Sequence, residues 1–320
     1  MRRPAEAALP LRHAAALGLL HGPAELLPVS SSAHVALVPW LLDWPYARLD
    51  PELRKSFEVA LHAGTAAALL VALRGEVSEA VLTLDRRRVA LISTSLVPPA
   101  LAALWFEKRI EERASSPGAI AVGLVAGSAA MLLVEIAAAR RDRSGGESSG
   151  QSGTGRGEAG RGLSGGARRE RAEAGAVDGL VLGVAQACAL WPGVSRNGAT
   201  LVAARLRGFG RDDANVLSRH VALPVIAGAT ALKGYRLARR GLPPRTALAF
   251  AAGTAAAFAS TLASARIVRS VDRGHSLLPY AAYRTALAAL VARRLRSDGA
   301  VRSAAVRSAA VRSLRENRRR

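Results

Sequence analysis

A dense group of polar side chains lies near the start of the chain, around a proline that interrupts an apolar segment. His21 and Glu25 are four residues apart, so a helix would place them on one face. Pro28 ends that helix, and the serines at 30–32 favour the start of a second helix whose free N–H groups point into the site. His34 follows one turn later. These groups suit phosphate chemistry, with a carboxylate able to hold a divalent cation.

A second break of the same kind, WPGVSRNGAT, occupies residues 191–200. Shifting LLPVSSSAHV by 164 residues places Pro28 on Pro192 and Ser31 on Ser195, and the same shift aligns a later Ala-Gly pair. Two landmarks that fit one shift are typical of an internal duplication. We therefore predict two repeats, each carrying a broken helix lined with hydroxyl groups.

The second break adds the groups that bind an oxyanion. Arg196 supplies a fixed cation whose guanidinium contacts two phosphate oxygens at once, and Ser195 supplies a hydroxyl and nearby backbone amides. Asn197 and Thr200 complete a polar surface. Taken singly, a serine after a proline is most often a helix cap and a lone histidine is most often a satisfied polar residue. Their convergence in two equivalent breaks favours a phosphate or diphosphate site facing a cavity.

Hydrophobic residues make up 50% of the chain, yet its net charge is +21, and the two properties are segregated along the sequence. Arginines crowd between and after apolar stretches that are each about long enough to cross a bilayer. The stretches are 57–73, 89–106, 118–139, 215–232, 246–265 and 277–292. This pattern predicts an integral membrane protein rather than a soluble bundle of Ala-rich helices.

The predicted fold is all-α and polytopic, with two inverted repeats that each contain a re-entrant broken-helix hairpin and about three transmembrane helices. Residues 1–140 form the first repeat and 176–295 the second. Residues 141–175, rich in Gly, Ser, Arg and Glu, are predicted to be a flexible linker. The basic tail at 296–320 is either a helix on anionic lipid or a solvated segment.

The two breaks resemble known signature motifs. HGPAELLPVSSSAHV and WPGVSRNGAT are similar to those of the bacterial undecaprenyl-diphosphate phosphatases of the bacitracin-resistance type, and SFEVALHAGT, ALPVIAGAT and LPYAAYR extend the similarity. The resemblance implies hydrolysis of undecaprenyl diphosphate to undecaprenyl phosphate and inorganic phosphate. That reaction recycles the lipid carrier for cell-wall synthesis and gives bacitracin resistance. The resemblance also implies a Mg²⁺ or Ca²⁺ cofactor and a multi-pass location in the bacterial cytoplasmic membrane.

The resemblance also implies roles for individual residues. Glu25 would bind metal or act as a base, His34 would be a nucleophile or acid–base group, and Ser31 a nucleophile or phosphate ligand; a metal-activated water is a third candidate for the attack. His21 stands where the family usually has Glu or Gln, and with Glu25 it forms the expected metal site. The expected substrate-binding residues are Ser30, Ser32, Ser195, Arg196, Asn197 and Thr200.

One segment departs from the family pattern. Where the family has a stretch rich in Ser, Phe and Leu, this chain has LSRHVALP at 217–224. Arg219 and His220 therefore lie within or beside an apolar span and must face the cavity or the interface. The sequence assigns neither a role.

Two other functions compete with lipid diphosphate hydrolysis. The acid phosphatase superfamily, with its Ser-Gly-His and Ser-Arg motifs, is rejected because Leu, Val and Ala occupy the positions 201–203 where its later His is expected. A transporter or flippase for a polyprenyl phosphate needs only the binding groups, and phosphate release discriminates it from an enzyme. The expected partners are the undecaprenyl diphosphate lipid and the bilayer, with a homodimer left open. Nucleic acid is excluded because no aromatic residues interleave with the arginine runs.

Overall fold

The computed structural model describes residues 9–82, 84–148, 169–240, 244–271 and 276–317. These residues form eleven α-helices and two short 3₁₀ turns, with no β-strand among them, which confirms the all-α prediction. The first six helices are α1 (Leu11–Leu26), α2 (Ser31–Leu41), α3 (Pro51–Ala72), α4 (Arg74–Leu82), α5 (Arg86–Ala114) and α6 (Pro117–Ser148). The other five are α7 (Ala176–Cys188), α8 (Arg196–Leu206), α9 (Arg211–Arg240), α10 (Pro244–Val271) and α11 (Leu278–Asn317).

Three of the described helices are long and apolar enough to cross a membrane. They are Arg86–Phe106, Pro117–Arg140 and Pro244–Ala265, which match three of the six predicted stretches. No more than 44% of any of these windows is buried inside the protein, so lipid must cover the rest. The stretches in α3, α9 and α11 are helical too, but charged and polar side chains lower their hydropathy. The chain is thus a multi-pass membrane protein.

The predicted linker and tail are partly described. Helix α6 continues to Ser148, and Arg169 forms an ion pair with Asp178 at the start of α7, at a distance of 2.9 Å. Residues 149–168, the middle of the predicted linker, lie outside the described residues. Helix α11 continues through the basic tail to Asn317, and the choice between lipid contact and solvent stays a prediction. The domain boundaries remain predictions.

The two breaks share one local geometry. Ser30 precedes α2 with φ 76°, and its hydroxyl accepts a hydrogen bond from the Ala33 amide at 3.4 Å. Ser195 precedes α8 with φ 71°, and its hydroxyl accepts from the Gly198 amide at 3.2 Å. Both are serine N-caps in the left-handed region, which is rare for a residue with a side chain.

This geometry corrects the predicted alignment by one residue. Ser195 corresponds to Ser30, not to Ser31, so the shift at the helix starts is 165 residues. The prolines mislead the alignment because Gly193, with φ 98°, adds one residue between Pro192 and the cap. Ser31 and Arg196 are therefore the equivalent first residues of α2 and α8.

Each hairpin packs against a long helix of the other half. Helix α1 lies on α10, and α7 lies on α5. Two glycines four residues apart permit each close approach, because a side chain there would collide with the facing helix. They are Gly18 and Gly22 in α1, and Gly179 and Gly183 in α7. This reciprocal packing supports a duplication, and the inverted orientation of the repeats remains a prediction.

Candidate active site

Glu25 lies where the two breaks meet. It occupies the last turn of α1, and its side chain is only 9% exposed. One carboxylate oxygen accepts a hydrogen bond from the Ser31 hydroxyl, and the other accepts from the Arg196 guanidinium. Because Ser31 and Arg196 begin α2 and α8, a single carboxylate joins the equivalent positions of both halves. The structure thus brings together three predicted site residues.

Two histidines lie beside Glu25. His21 Nδ1 is 2.9 Å from the Thr65 hydroxyl, and its ring meets His62 edge to face, with the ring centroids 4.6 Å apart. His62 Nδ1 is 3.7 Å from a Glu25 oxygen. The Nε2 atom of His21 is buried and has no hydrogen-bond partner among the residues that the structure describes. His62 was not among the predicted site residues, although a histidine inside the apolar part of α3 is a signal for a functional group.

The three side chains form a candidate metal centre. One ligand atom from each of His21, Glu25 and His62 lies within 4.8 Å of the others. The unpaired Nε2 of His21 fits this interpretation, because a buried polar nitrogen without a partner is costly unless something binds it. The predicted metal pair therefore acquires a third member from α3.

His34 has two hydrogen-bond partners. Its Nδ1 lies 2.7 Å from the Ser30 carbonyl oxygen, so Nδ1–H donates there, and Nε2 accepts from the Tyr283 hydroxyl at 2.6 Å. The two rings are stacked with a centroid distance of 5.6 Å. Both ring nitrogens are thus engaged by α2 and α11. Tyr283 was also missed, although it belongs to the quoted LPYAAYR segment.

Arg284 binds the backbone of both breaks. Its side chain is fully buried on α11, and it donates to the carbonyl oxygens of Pro28 at 3.0 Å, Gly193 at 2.8 Å and Val194 at 2.9 Å. Arg284 also donates to the Leu124 carbonyl at 3.2 Å, which joins both breaks to α6 through this one side chain. The planar guanidinium with its five donors suits this task. Arg284 thus fixes the two non-helical segments in register with each other.

Most of the other predicted phosphate ligands bond to the protein. The Asn197 amide donates to the Leu26 carbonyl at 2.7 Å and accepts from the Ser218 hydroxyl at 3.0 Å. The Thr200 hydroxyl lies 2.5 Å from that of Ser218. The hydroxyls of Ser30 and Ser195 cap helices, and that of Ser32 lies 3.3 Å from Ser30. Their role in substrate binding remains a prediction, whereas Ser31 and Arg196 flank the carboxylate directly.

A cavity begins at this group and extends along α9. Its polar end contains Glu25, Arg196 and Asn197. Its apolar wall includes Leu69 of α3, Leu73 immediately after that helix, Leu223 and Ile226 of α9, and Ala265 of α10. The cavity has a volume of about 60 Å³, and its combination of charged and apolar side chains matches the polarity of a ligand with an anionic head and a hydrocarbon chain.

The chain is similar to proteins of known name over most of its length. The family profile described as "Bacitracin resistance protein BacA" matches residues 14–290. The undecaprenyl-diphosphatase of Geobacter sulfurreducens is 36% identical over 287 residues, which cover 86% of this chain and 94% of that protein. The undecaprenyl-diphosphatases of Moorella thermoacetica and Thermomicrobium roseum are each 34% identical, with the same coverage of 86% and 94%.

Proposed function

Because the chain belongs to the bacitracin resistance protein family, we propose that it hydrolyses undecaprenyl diphosphate to undecaprenyl phosphate and inorganic phosphate. The observation that carries the proposal is Glu25, held between Ser31 and Arg196 at the polar end of an apolar-walled cavity. The reaction recycles the lipid carrier for cell-wall synthesis and gives resistance to bacitracin. The corresponding location is the bacterial cytoplasmic membrane; a homodimer stays a prediction.

A transporter would not require this arrangement. A carrier for a polyprenyl phosphate needs cations and hydroxyls, but it has no use for a carboxylate that accepts a hydrogen bond from a serine hydroxyl. That pair is the geometry of a nucleophile beside its base. The names of the similar proteins also favour the enzyme.

The geometry supports Ser31 as the attacking group. Its oxygen would form a bond to the terminal phosphorus, and its proton would pass to Glu25. The bond from phosphorus to the bridging oxygen would break, and the lipid phosphate would leave with the electron pair. Water would then hydrolyse the phosphoserine to release phosphate. Arg196 would stabilise charge on the terminal phosphate, while His34, engaged by Tyr283, would support α2.

Phosphate release by the purified protein tests this function. Detergent-solubilised protein is expected to release inorganic phosphate from a long-chain isoprenyl diphosphate, and Ser31→Ala is expected to lose about 10²–10⁴-fold in rate. Ser95→Ala is the matched control, because among the described residues that hydroxyl bonds only to the Ile92 carbonyl within α5. Acid quenching with substrate labelled in the terminal phosphate should trap the label on Ser31. If the protein turns over at the full rate but carries no labelled phosphate after quenching, water attacks the phosphorus directly.

A divalent cation fits the residues beside Glu25. His21, Glu25 and His62 would hold it, and when bound it would offset negative charge on the diphosphate. The family resemblance predicts Mg²⁺ or Ca²⁺, which prefer oxygen ligands. Two imidazoles and one carboxylate suit Mn²⁺ or Zn²⁺ better. The histidine at position 21, where the family usually has Glu or Gln, thus changes the donor set of this chain.

Replacing His21 tests the metal preference. In wild-type protein, Mn²⁺ is expected to raise the melting temperature in detergent at lower concentration than Mg²⁺ does, because nitrogen ligands favour the transition metal. His21→Glu should reverse that order and lower the Mg²⁺ concentration needed for half-maximal hydrolysis. His13→Gln is the matched control, since that ring stacks on Trp44 near the other end of α1. The same metal order in wild type and His21→Glu would remove His21 from the metal site.

A further inference from the structure

One face of α9 lines the cavity that begins at Glu25. Its members recur three and four residues apart, as expected for one side of a helix. They are Asn215, Ser218, Arg219, Ala222, Leu223 and Ile226. Arg219 and Arg196 are the two cationic side chains that line this cavity among the described residues. Arg219 also belongs to the LSRHVALP segment, where the sequence assigned it no role.

Arg219 forms one weak ion pair, with Glu76. Its Nε donates to Glu76 of α4 at 3.1 Å, and the two side chains are 25% and 30% exposed. Partly exposed ion pairs of this kind contribute little to stability. The terminal nitrogens of Arg219 make no hydrogen bond within the described ranges, so they remain able to bind an anion. The free energy lost when Arg219 leaves Glu76 to bind a phosphate group would therefore be small.

The polar end offers one cationic side chain, Arg196, besides the divalent cation that His21, Glu25 and His62 would hold. Glu25 and Arg196 offset each other, and a diphosphate carries two anionic groups. Arg196 is placed for the terminal phosphate, beside Ser31 and Glu25. The second phosphate, which stays on the lipid, needs another donor. Arg219 is the cavity-lining residue that can supply it.

We propose that Arg219 binds the phosphate that is esterified to the lipid, and that Glu76 holds this arginine when the cavity is empty. The proposal rests on the function proposed above. Leu223 and Ile226, which follow Arg219 by one and two turns of α9, would then contact the first isoprene units. Arg219 would also bind the product, because the lipid monophosphate retains this group.

Steady-state kinetics and product binding test the proposal. Arg219→Gln is expected to raise the KM for an isoprenyl diphosphate and the Kd for the isoprenyl monophosphate by about tenfold each, with kcat within about threefold of wild type. Arg219→Lys should retain part of both affinities, because it keeps the charge but loses the planar fork. Glu76→Gln breaks the same ion pair yet leaves the cation, so both constants should stay at or below the wild-type values.

The outcomes separate binding from a structural role. If the ion pair only joins α4 to α9, Arg219→Gln and Glu76→Gln will lower the melting temperature and activity together, and the proposal fails. It fails also if Arg219→Gln leaves KM and the monophosphate Kd unchanged. The Kd, measured by isothermal titration in detergent, does not depend on turnover. A wild-type protein that binds the monophosphate but releases no phosphate would overturn the proposed function while leaving Arg219 testable.

Discussion

Glu25→Gln is expected to lower phosphate release by about 10²–10⁴-fold, the range for loss of a general base. The carboxylate accepts hydrogen bonds from Ser31 and Arg196 through different oxygens. Glutamine keeps the shape, but one of its two terminal atoms becomes a donor and the negative charge is lost. It can therefore neither take the Ser31 proton nor pair with Arg196 as the carboxylate does. The measurement is kcat for inorganic phosphate release, normalised to folded protein.

Glu135→Gln is the control for the loss of a buried ion pair. Glu135 is also 9% exposed, and it pairs with Arg211 at 2.9 Å and accepts from the Leu277 amide at 3.3 Å, away from the cavity. We expect this variant to lose stability while its kcat per folded molecule stays near that of wild type. Equal losses of kcat in Glu25→Gln and Glu135→Gln would mean that Glu25 has a structural role only.

The second large effect is expected at Arg284, through structure rather than chemistry. Arg284→Met removes the donors that bind the carbonyls of Pro28, Gly193 and Val194. Each buried carbonyl left without a donor costs about 1–3 kcal/mol. The breaks should then lose their fixed register, so that Glu25 and Arg196 no longer meet. We expect a large fall in the melting temperature in detergent together with loss of nearly all hydrolysis.

Arg294→Met provides the comparison on the same helix. Arg294 also donates to a carbonyl, that of Leu41 at 2.5 Å, and it lies over the Trp40 ring, with the guanidinium carbon 5.0 Å from the ring centroid. It is 25% exposed and contacts neither break, so a smaller change in melting temperature and a normal kcat are expected. Lysine at 284 should not rescue the site, because one ammonium group cannot reach carbonyls on both breaks. A stable, active Arg284→Met protein would contradict this role.

The parts of the site that were predictable are local in sequence. Prolines, serines and charged residues within two short segments were sufficient to predict two broken helices and the convergence of Glu25, Ser31 and Arg196. Their types and short spacings determine a helix end, a cap and a shared face. The one-residue error in aligning the repeats arose because the caps, not the prolines, are the equivalent positions.

The missed residues act over long separations. His62, Ser218, Tyr283 and Arg284 lie in α3, α9 and α11, and periodicity alone does not say which other segment a polar residue will meet. Arg284 bonds to Pro28 across 256 positions. The hydrogen bonds that Asn197 makes to Leu26 and Ser218 could not be predicted from the sequence for the same reason. Tertiary packing, which local spacing does not encode, determines these contacts.

The reciprocal packing of the two hairpins has a consequence for biosynthesis. Helix α1 ends at Leu26 and is synthesised well before α10, the helix on which it packs, which begins at Pro244. The close packing that the glycines of α1 permit can therefore form only after α10 has been synthesised. Arg284, which fixes both breaks, is made later still, in the last described helix. A nascent chain that stops before α11 therefore contains Glu25, Ser31 and Arg196 but lacks the arginine that fixes both breaks, so the complete site can form only after α11 has been synthesised.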